Sequence, residues 1–321
     1  MKTFGNIYFN NTLFHNSSQL FLFSFLILST YNKFLQTPSS QRKGEITVKG
    51  EPVMPQSDQD SYQVYPFPKA RRFALDAGYL GRRRHIVHGL LEIDVTEARQ
   101  RIQDYKSETG ERLSFTAFII NCLAEAVSGS PAVQAYRDWR GRLVIYENVN
   151  INTMVEVEKD GRKVPMPYII QAANLKTLLQ IHDELRATQA AHESTVESQF
   201  MDWFLYLPGF IRRFFYRVST RFPQSFRKYS SSVLVTAVGM FGSGGGWGIP
   251  MPNFSLTVTL GGIAEKPGVV NGGIGIRQYL DVTLSFDHDI IDGAPAARFA
   301  NHFRELVESC YGLDTSKAPA G

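Results

Sequence analysis

Ser285-Phe286-Asp287-His288-Asp289-Ile290-Ile291-Asp292-Gly293-Ala294 stands where a strand pattern hands over to a helix pattern. Upstream, Val282, Leu284 and Phe286 alternate with polar residues, the period of a half-buried strand. Continuing that alternation puts His288 at the end of the same apolar row, where water is scarce. Downstream, Gly293 turns the chain into a closing helix from about Pro295 to Tyr311. Its apolar positions Ala296, Phe299, Ala300, Phe303, Leu306, Val307 and Cys310 keep the i, i+3, i+4, i+7 spacing, and Pro295 suits a first turn. A single histidine on an apolar face is ordinarily a core residue satisfied by internal hydrogen bonds. The aspartate four residues on, Asp292, followed directly by Gly293, is what makes this one worth following.

Working outward, short strands alternate with amphipathic helices. Strands are expected at Ile86–Val95, Leu143–Tyr146, Val149–Val157, Ser232–Val238, Ser255–Gly262, Val269–Ile276 and Leu280–Phe286. Thr96 suits the N-cap of a helix carrying Ala98, Ile102 and Tyr105. Ser114 opens a strongly apolar helix stopped by Gly129-Ser130-Pro131, and Asn174 suits the cap of a third, with Leu175, Leu178, Leu179, His182 and Leu185 on its stripe. The fold class is α+β, a two-layer α/β sandwich in which helices cover one face of a mixed sheet.

Of the 321 residues, 43% are hydrophobic and 20% charged, which suits a globular protein and excludes collagen-like, coiled-coil and wholly disordered chains. A net charge of +4 is too weak and too dispersed to predict nucleic-acid binding. Cys122 and Cys310 lie roughly 190 residues apart and offer neither metal-ligand spacing nor a disulfide framework, so a reducing, cytoplasmic setting is expected and no metal site. The apolar run Leu20–Leu28 is far short of the ~20 residues of a membrane span and lacks the flanks of a secretory signal. Residues 1–68 read as a disordered or loosely ordered extension rich in Pro, Ser and Gln, 69–313 as the catalytic domain with an aromatic, basic insertion at 196–229, and 314–321 as a tail.

The H-x-x-x-D-G pattern at His288–Gly293, with the surrounding SFDHDIIDGAPAARF, resembles the catalytic motif of the acyltransferase (E2) core of 2-oxoacid dehydrogenase complexes, whose fold and motif are those of chloramphenicol acetyltransferase. Further likeness comes from Leu113–Phe118 at the start of the long apolar helix, from Asn148–Val157 with Val164–Pro167, and from Gly261–Pro267. The resemblance covers about residues 69–195 and 230–313. It implies a hydroxyl some fifty residues before the histidine, usually a serine. Thr236 in Val233–Gly239 occupies that place, 52 residues before His288. Read as a plain strand residue, Thr236 needs no such role.

The resemblance implies a reaction as well as a fold. His288 is the general base that takes a proton from a thiol, Thr236 donates to the oxyanion, and Asp292 fixes the loop and ring geometry. The active site is implied to lie between subunits of a homotrimer, the histidine and the hydroxyl coming from different chains. No cofactor is expected to be tightly bound; CoA and its thioesters are substrates. The expected activity is that of a stand-alone acyltransferase between CoA and a dihydrolipoyl-like thiol, or a small alcohol or amine. No lipoyl domain is read in the sequence, so a lipoyl acceptor would act in trans. The rival reading is a catalytically silent trimeric E2-like subunit that binds a partner or membrane.

Two departures stand out: Asp289 occupies a position where the family usually has arginine, and Thr236 replaces serine. Alternation points Asp289 away from His288. Gly242–Gly248 lacks the GK[ST] of a phosphate loop and reads as a flexible or tightly packed loop bordering the site. His85 and His88 beside Arg82-Arg83-Arg84 read as a solvated basic turn, with contact to CoA phosphates as the alternative. The 196–229 insertion suits helices packed on the core or a neighbour, a lid over an acyl channel, or a membrane surface.

Overall fold

The computed structural model describes residues 64–67, 71–159, 162–190, 207–222, 231–239, 244–251, 253–270 and 272–314. The elements in chain order are α1 (Arg71–Gly81), β1 (Ile86–Asp94), α2 (Thr96–Thr109), α3 (Phe115–Gly129), β2 (Tyr136–Arg137), β3 (Leu143–Val144), β4 (Ile151–Lys159), β5 (Arg162–Ile170), α4 (Leu178–Ala190), α5 (Gly209–Arg221), β6 (Val233–Ala237), β7 (Leu256–Val270), β8 (Gly273–Asp287) and α6 (Gly293–Glu308). Six strands form one mixed sheet in the order β1-β8-β7-β6-β4-β5, while β2 and β3 make a small hairpin of their own. The β7–β6 and β6–β4 pairs are parallel and the others antiparallel. The expected α+β class is what the chain adopts.

One face of the sheet is apolar and supports the helices. Ile151, Val233, Val235, Leu256, Val258, Val282, Leu284 and Phe286 are buried there with Phe118, Ile119 and Leu123 of α3 and Phe299 and Phe303 of α6. Phe299 meets Phe286 edge-on with ring centroids 5.7 Å apart and stacks on Phe303 at 6.5 Å. Burying a phenylalanine contributes about 1.5–3 kcal/mol, so this contact fixes α6 against β8 and pins both ends of the intervening segment 288–292.

The other face is lined by hydroxyl and carboxyl groups. Cross-strand register places Thr236, Thr259 and Thr283 in one row and Asn152, Leu234, Thr257, Ser285 and His88 in the next. This face is not bare, as a one-sided arrangement of helices would leave it. Residues 244–248 lie on it, with the Gly262 N–H donating to the Gly246 carbonyl at 3.0 Å. A Cβ at Gly262 would sit 1.9 Å from the Gly244 carbonyl oxygen, and one at Gly261 2.0 Å from that of Gly246. The glycine-dense loop is therefore packed backbone to backbone against β7, where the register shifts between Leu260 and Ile263.

Several boundaries differ from the sequence reading. The strand expected at Val269–Ile276 contains a chain reversal: Val269 and Val270 end β7, and from Gly273 one long strand, β8, runs on through Leu280–Phe286. Turn glycines 272 and 273 sit inside what reads as an apolar run. Thr96 is the first helical residue instead of the cap: Asp94 Oδ1 accepts from its N–H and its hydroxyl, at 3.0 and 2.6 Å. Asn174 lies in a short 3₁₀ turn, where its Oδ1 accepts from the Val149 N–H, while Thr177 and Gln180 cap α4 reciprocally. Ser114 caps α3 as expected, its Oγ accepting from the Ala117 N–H at 3.3 Å. The loosely ordered extension expected at residues 1–68 falls almost wholly outside the described residues, as does most of the tail.

Candidate active site

The candidate site forms where β8 ends. Ile86 pairs with Asp287 in the β1–β8 ladder, so Arg84 and His85, just before β1, run beside residues 288 and 289. The His288 N–H donates to the His85 carbonyl at 2.7 Å, and the N–H groups of Ile290 and Ile291 both donate to the Asp287 carbonyl. The chain has left the strand at this point, so His288 lies in a turn and is exposed, which corrects the expectation that alternation would carry it into an apolar, water-poor row. Among the described residues, no side chain hydrogen-bonds its imidazole; the backbone alone positions it.

The turn is held from outside by two charged contacts. Arg84 Nη1 donates to Asp287 Oδ2 at 2.8 Å, with both side chains largely buried, and Asp287 Oδ1 also accepts from the Asp289 N–H at 3.2 Å. His85 Nδ1 lies 2.8 Å from Asp289 Oδ1, in a more exposed setting. The Arg84–His85 corner is thus part of the site's frame and not merely a solvated basic turn, and Asp289 points to His85. His88 belongs to the polar face, with Nδ1 2.8 Å from Ser285 Oγ.

Asp292 occupies the N-cap position of α6 in extended conformation, and its carbonyl accepts from the Ala296 N–H. Its carboxylate makes no capping hydrogen bond and is exposed. In this chain the hydrogen bonds that hold the loop come from Asp287, where Asp292 was expected to supply them; Asp292 adds a negative charge at the positive end of a helix. Gly293 is the first residue of that helix.

Thr236 lies elsewhere. It is half-buried in β6, two strands from β8 and level with Thr283, five residues short of His288. With about 3.3 Å per residue and about 4.8 Å per strand, the two positions are on the order of 15–20 Å apart within one chain. The chain does not bring its own histidine and its own threonine together. The row also contains two hydroxyls that sequence reasoning missed: Thr259 and Thr283 are essentially fully buried and their Oγ1 atoms have no hydrogen-bond partner. The alternation Thr257-Val258-Thr259 and Val282-Thr283-Leu284-Ser285 signals a polar second face, but only the register aligns these hydroxyls with Thr236.

A polar cavity of about 200 Å³ opens beside the turn, lined by Arg83, Arg84, Arg137, Arg221, Asp287 and Asp289 among others. Four guanidinium groups meeting these carboxylates suit it to an anionic group. Among the described residues, no cluster of three His, Cys, Asp or Glu side chains could hold a metal ion.

A mixed sheet with helices on its apolar face, ending in a His-x-x-x-Asp-Gly turn braced from the neighbouring strand, is the frame of an acyltransferase domain. The chain belongs to the family of 2-oxoacid dehydrogenase acyltransferases (catalytic domain), whose model matches residues 86–202 and 226–313. A dihydrolipoyllysine-residue acetyltransferase component of the pyruvate dehydrogenase complex from Staphylococcus epidermidis is 26% identical over 225 residues, 68% of this chain and 44% of that protein. The chain therefore spans less than half the length of that relative. The fold is also that of the Azotobacter vinelandii dihydrolipoamide acetyltransferase, studied for the roles of a serine, a histidine and an asparagine in its mechanism (TM-score 0.57, 18% identity, 78% of this chain and 93% of that one). It matches as well the cubic core of a pyruvate dehydrogenase multienzyme complex (TM-score 0.58, 17% identity, 81% and 99%).

Proposed function

We propose that this domain transfers an acyl group between CoA and a thiol of the dihydrolipoyl type, at a site built from His288 of one copy and Thr236 of another. The observation that carries the proposal is the spacing of site groups. In the Azotobacter enzyme the serine precedes the histidine by 52 residues and the asparagine follows it by four; Thr236, His288 and Asp292 keep both intervals. The separation of Thr236 from His288 within one chain requires a second copy, and a homotrimer supplies one by rotation. The hairpin beyond the sheet leaves Val269, Ile274 and Ile276 strongly exposed, apolar area that such an assembly would cover.

The chemistry follows from proton affinities. A CoA-type thiol has a pKa of about 8.5, so little of it is thiolate at neutral pH, whereas imidazoles as a class titrate near about 6.5 and readily accept its proton. The His288 imidazole takes the thiol proton as sulfur attacks the thioester carbonyl. The carbonyl π electrons move to oxygen, where the Thr236 hydroxyl of the second copy donates to the oxyanion. One such donor contributes on the order of 10²–10³ in rate. Collapse expels the other thiolate, which recovers the proton from the imidazolium. The arginines beside the turn suit the phosphates of the CoA moiety.

His288→Ala and Thr236→Ala, assayed for acetyl transfer from acetyl-CoA to dihydrolipoamide, test this reading. Loss of turnover by about 10³-fold or more for the first and about 10²-fold for the second is expected. Equal turnover of wild type and His288→Ala would leave the silent-scaffold reading in its place. Chain-length selectivity and the natural acceptor follow from the same assay run over a series of acyl-CoA donors and thiol, alcohol and amine acceptors.

A further inference from the structure

Helix α5 is amphipathic in the wrong sense for a helix that merely packs on a domain. Its inward side is polar: Arg212 and Tyr216, 5% and 2% exposed, face α1. There the Arg212 and Arg213 Nε atoms donate to the two oxygens of the fully buried Asp76, at 2.7 and 3.1 Å, and Arg213 stacks over Tyr79. Its outward side is apolar. Phe210 and Phe214 are 73% and 67% exposed, and Ile211, Phe215 and Phe222 are exposed with them. At about 100° per residue, positions 210, 211, 214, 215, 218 and 222 share one arc of roughly 140°, with Arg217 on its edge and Arg221 within it. Residues 209–221 include four arginines and no acidic residue.

Helix α5 is an addition to the family frame. The family match omits 203–225, which contains it. An assembly surface shared with the family therefore has no reason to include this face. The ion pairs to buried Asp76 serve to hold the helix with its phenylalanines turned out. The sequence before α1 has the same character: residues 1–44 carry four Lys or Arg, no Asp or Glu, and the apolar run Leu20–Leu28.

We propose that the outward face of α5 lies in the surface of an anionic phospholipid membrane, with Phe210, Ile211, Phe214 and Phe215 among the acyl chains and Arg217 at the headgroups. An interfacial helix of this kind combines buried aromatic area with attraction to negative lipids, each arginine near the surface adding to the latter. Acyl transfer would then take place on a protein held at a membrane. This assignment does not depend on the reaction proposed above, and its test does not measure turnover.

The full chain is to be sedimented with phosphatidylcholine vesicles, with and without phosphatidylglycerol, alongside Phe210→Ser/Phe214→Ser. Wild type should partition onto the anionic vesicles at least about 10-fold more strongly than onto neutral ones and lose that preference in high salt. The double variant should bind at least about 10-fold more weakly. Both substitutions are at exposed positions, and an unchanged thermal melt shows that the fold survives. In Phe210→Trp, the new indole should be quenched by lipids brominated in their acyl chains. Absence of vesicle binding, or binding equally tight in the double variant, overturns the proposal. A changed oligomeric state of the double variant with unchanged partition also overturns it and assigns the face to a second copy of the chain.

Discussion

Replacing Asp287 by alanine removes the brace of the His288 turn without touching the imidazole. The Asp287 side chain is 7% exposed, and its two oxygens accept from Arg84 Nη1 at 2.8 Å and from the Asp289 N–H at 3.2 Å. Hydrogen bonds to a charged group contribute about 1.5–3 kcal/mol each. Arg84, 21% exposed, would keep part of its hydration when its partner is lost, which limits the penalty of an unpaired cation. The sum is about 3 kcal/mol, and at about 2–4 °C per kcal/mol for a domain of this size the melting temperature should fall by roughly 6–12 °C. Asp287→Asn keeps an acceptor for the Asp289 N–H and loses only the charge, so it should lie about midway. A double-mutant cycle with Arg84→Met isolates the pair, with an expected coupling of about 1–3 kcal/mol. Thermal denaturation by circular dichroism reads all five proteins, wild type included. A melting temperature for Asp287→Ala within 2 °C of wild type (roughly 1 kcal/mol or less), or a coupling near zero, would refute the view that this ion pair sets the turn.

Other expectations follow from particular contacts. Gly262→Ala puts a methyl 1.9 Å from the Gly244 carbonyl oxygen, a backbone atom that cannot swing aside, and should cost about 3 kcal/mol or more in urea unfolding. Burial, helped by Arg186, holds the His182 imidazole below its ordinary value, and its Nδ1 accepts from the Ser114 N–H. The folded chain therefore resists its protonation while the unfolded chain takes up the proton near about pH 6.5, so stability is full above that pH and declines as pH falls through it. His182→Asn, which keeps an acceptor near Nδ1, should flatten that decline in melts between neutral pH and pH 5 (about one and a half units below the ordinary imidazole value). Burial also raises the thiols of Cys122 and Cys310 above the usual cysteine value, so both should react with a thiol reagent about 10²-fold more slowly in the native protein than in urea.

The core was readable where one period dominated. The α6 stripe of Phe299, Phe303 and Val307 and the Ser114 cap of α3 both lie where local spacing places them. Turn and cap chemistry that depends on tertiary partners was not. Asn174 has the residue type of a cap, yet it satisfies the Val149 N–H, and Thr177 and Gln180 do the capping. The apolar run Val269–Ile276 hides a chain reversal because its side chains lie on a projecting hairpin with no core to select them. At the site, the motif identified His288, Asp292 and Gly293, but alternation could not show that the strand ends at Asp287. Nor could it show that Arg84 and His85, some two hundred residues away, frame the turn. The aromatic and basic character of residues 209–221 was plain; which side faces out was decided by Asp76 on another helix.

Complementation between two inactive variants tests the shared site most directly. His288→Ala and Thr236→Ala are each to be purified, unfolded, mixed in equal amounts, refolded together and assayed for acetyl transfer from acetyl-CoA to dihydrolipoamide. If each site takes His288 from one copy and Thr236 from a second, random mixing in a cyclic assembly pairs the two intact residues in about a quarter of the interfaces. The mixture should then recover about a quarter of wild-type turnover while neither variant alone exceeds about 1% of it. A mixture no more active than the better of its two components would contradict a site divided between subunits.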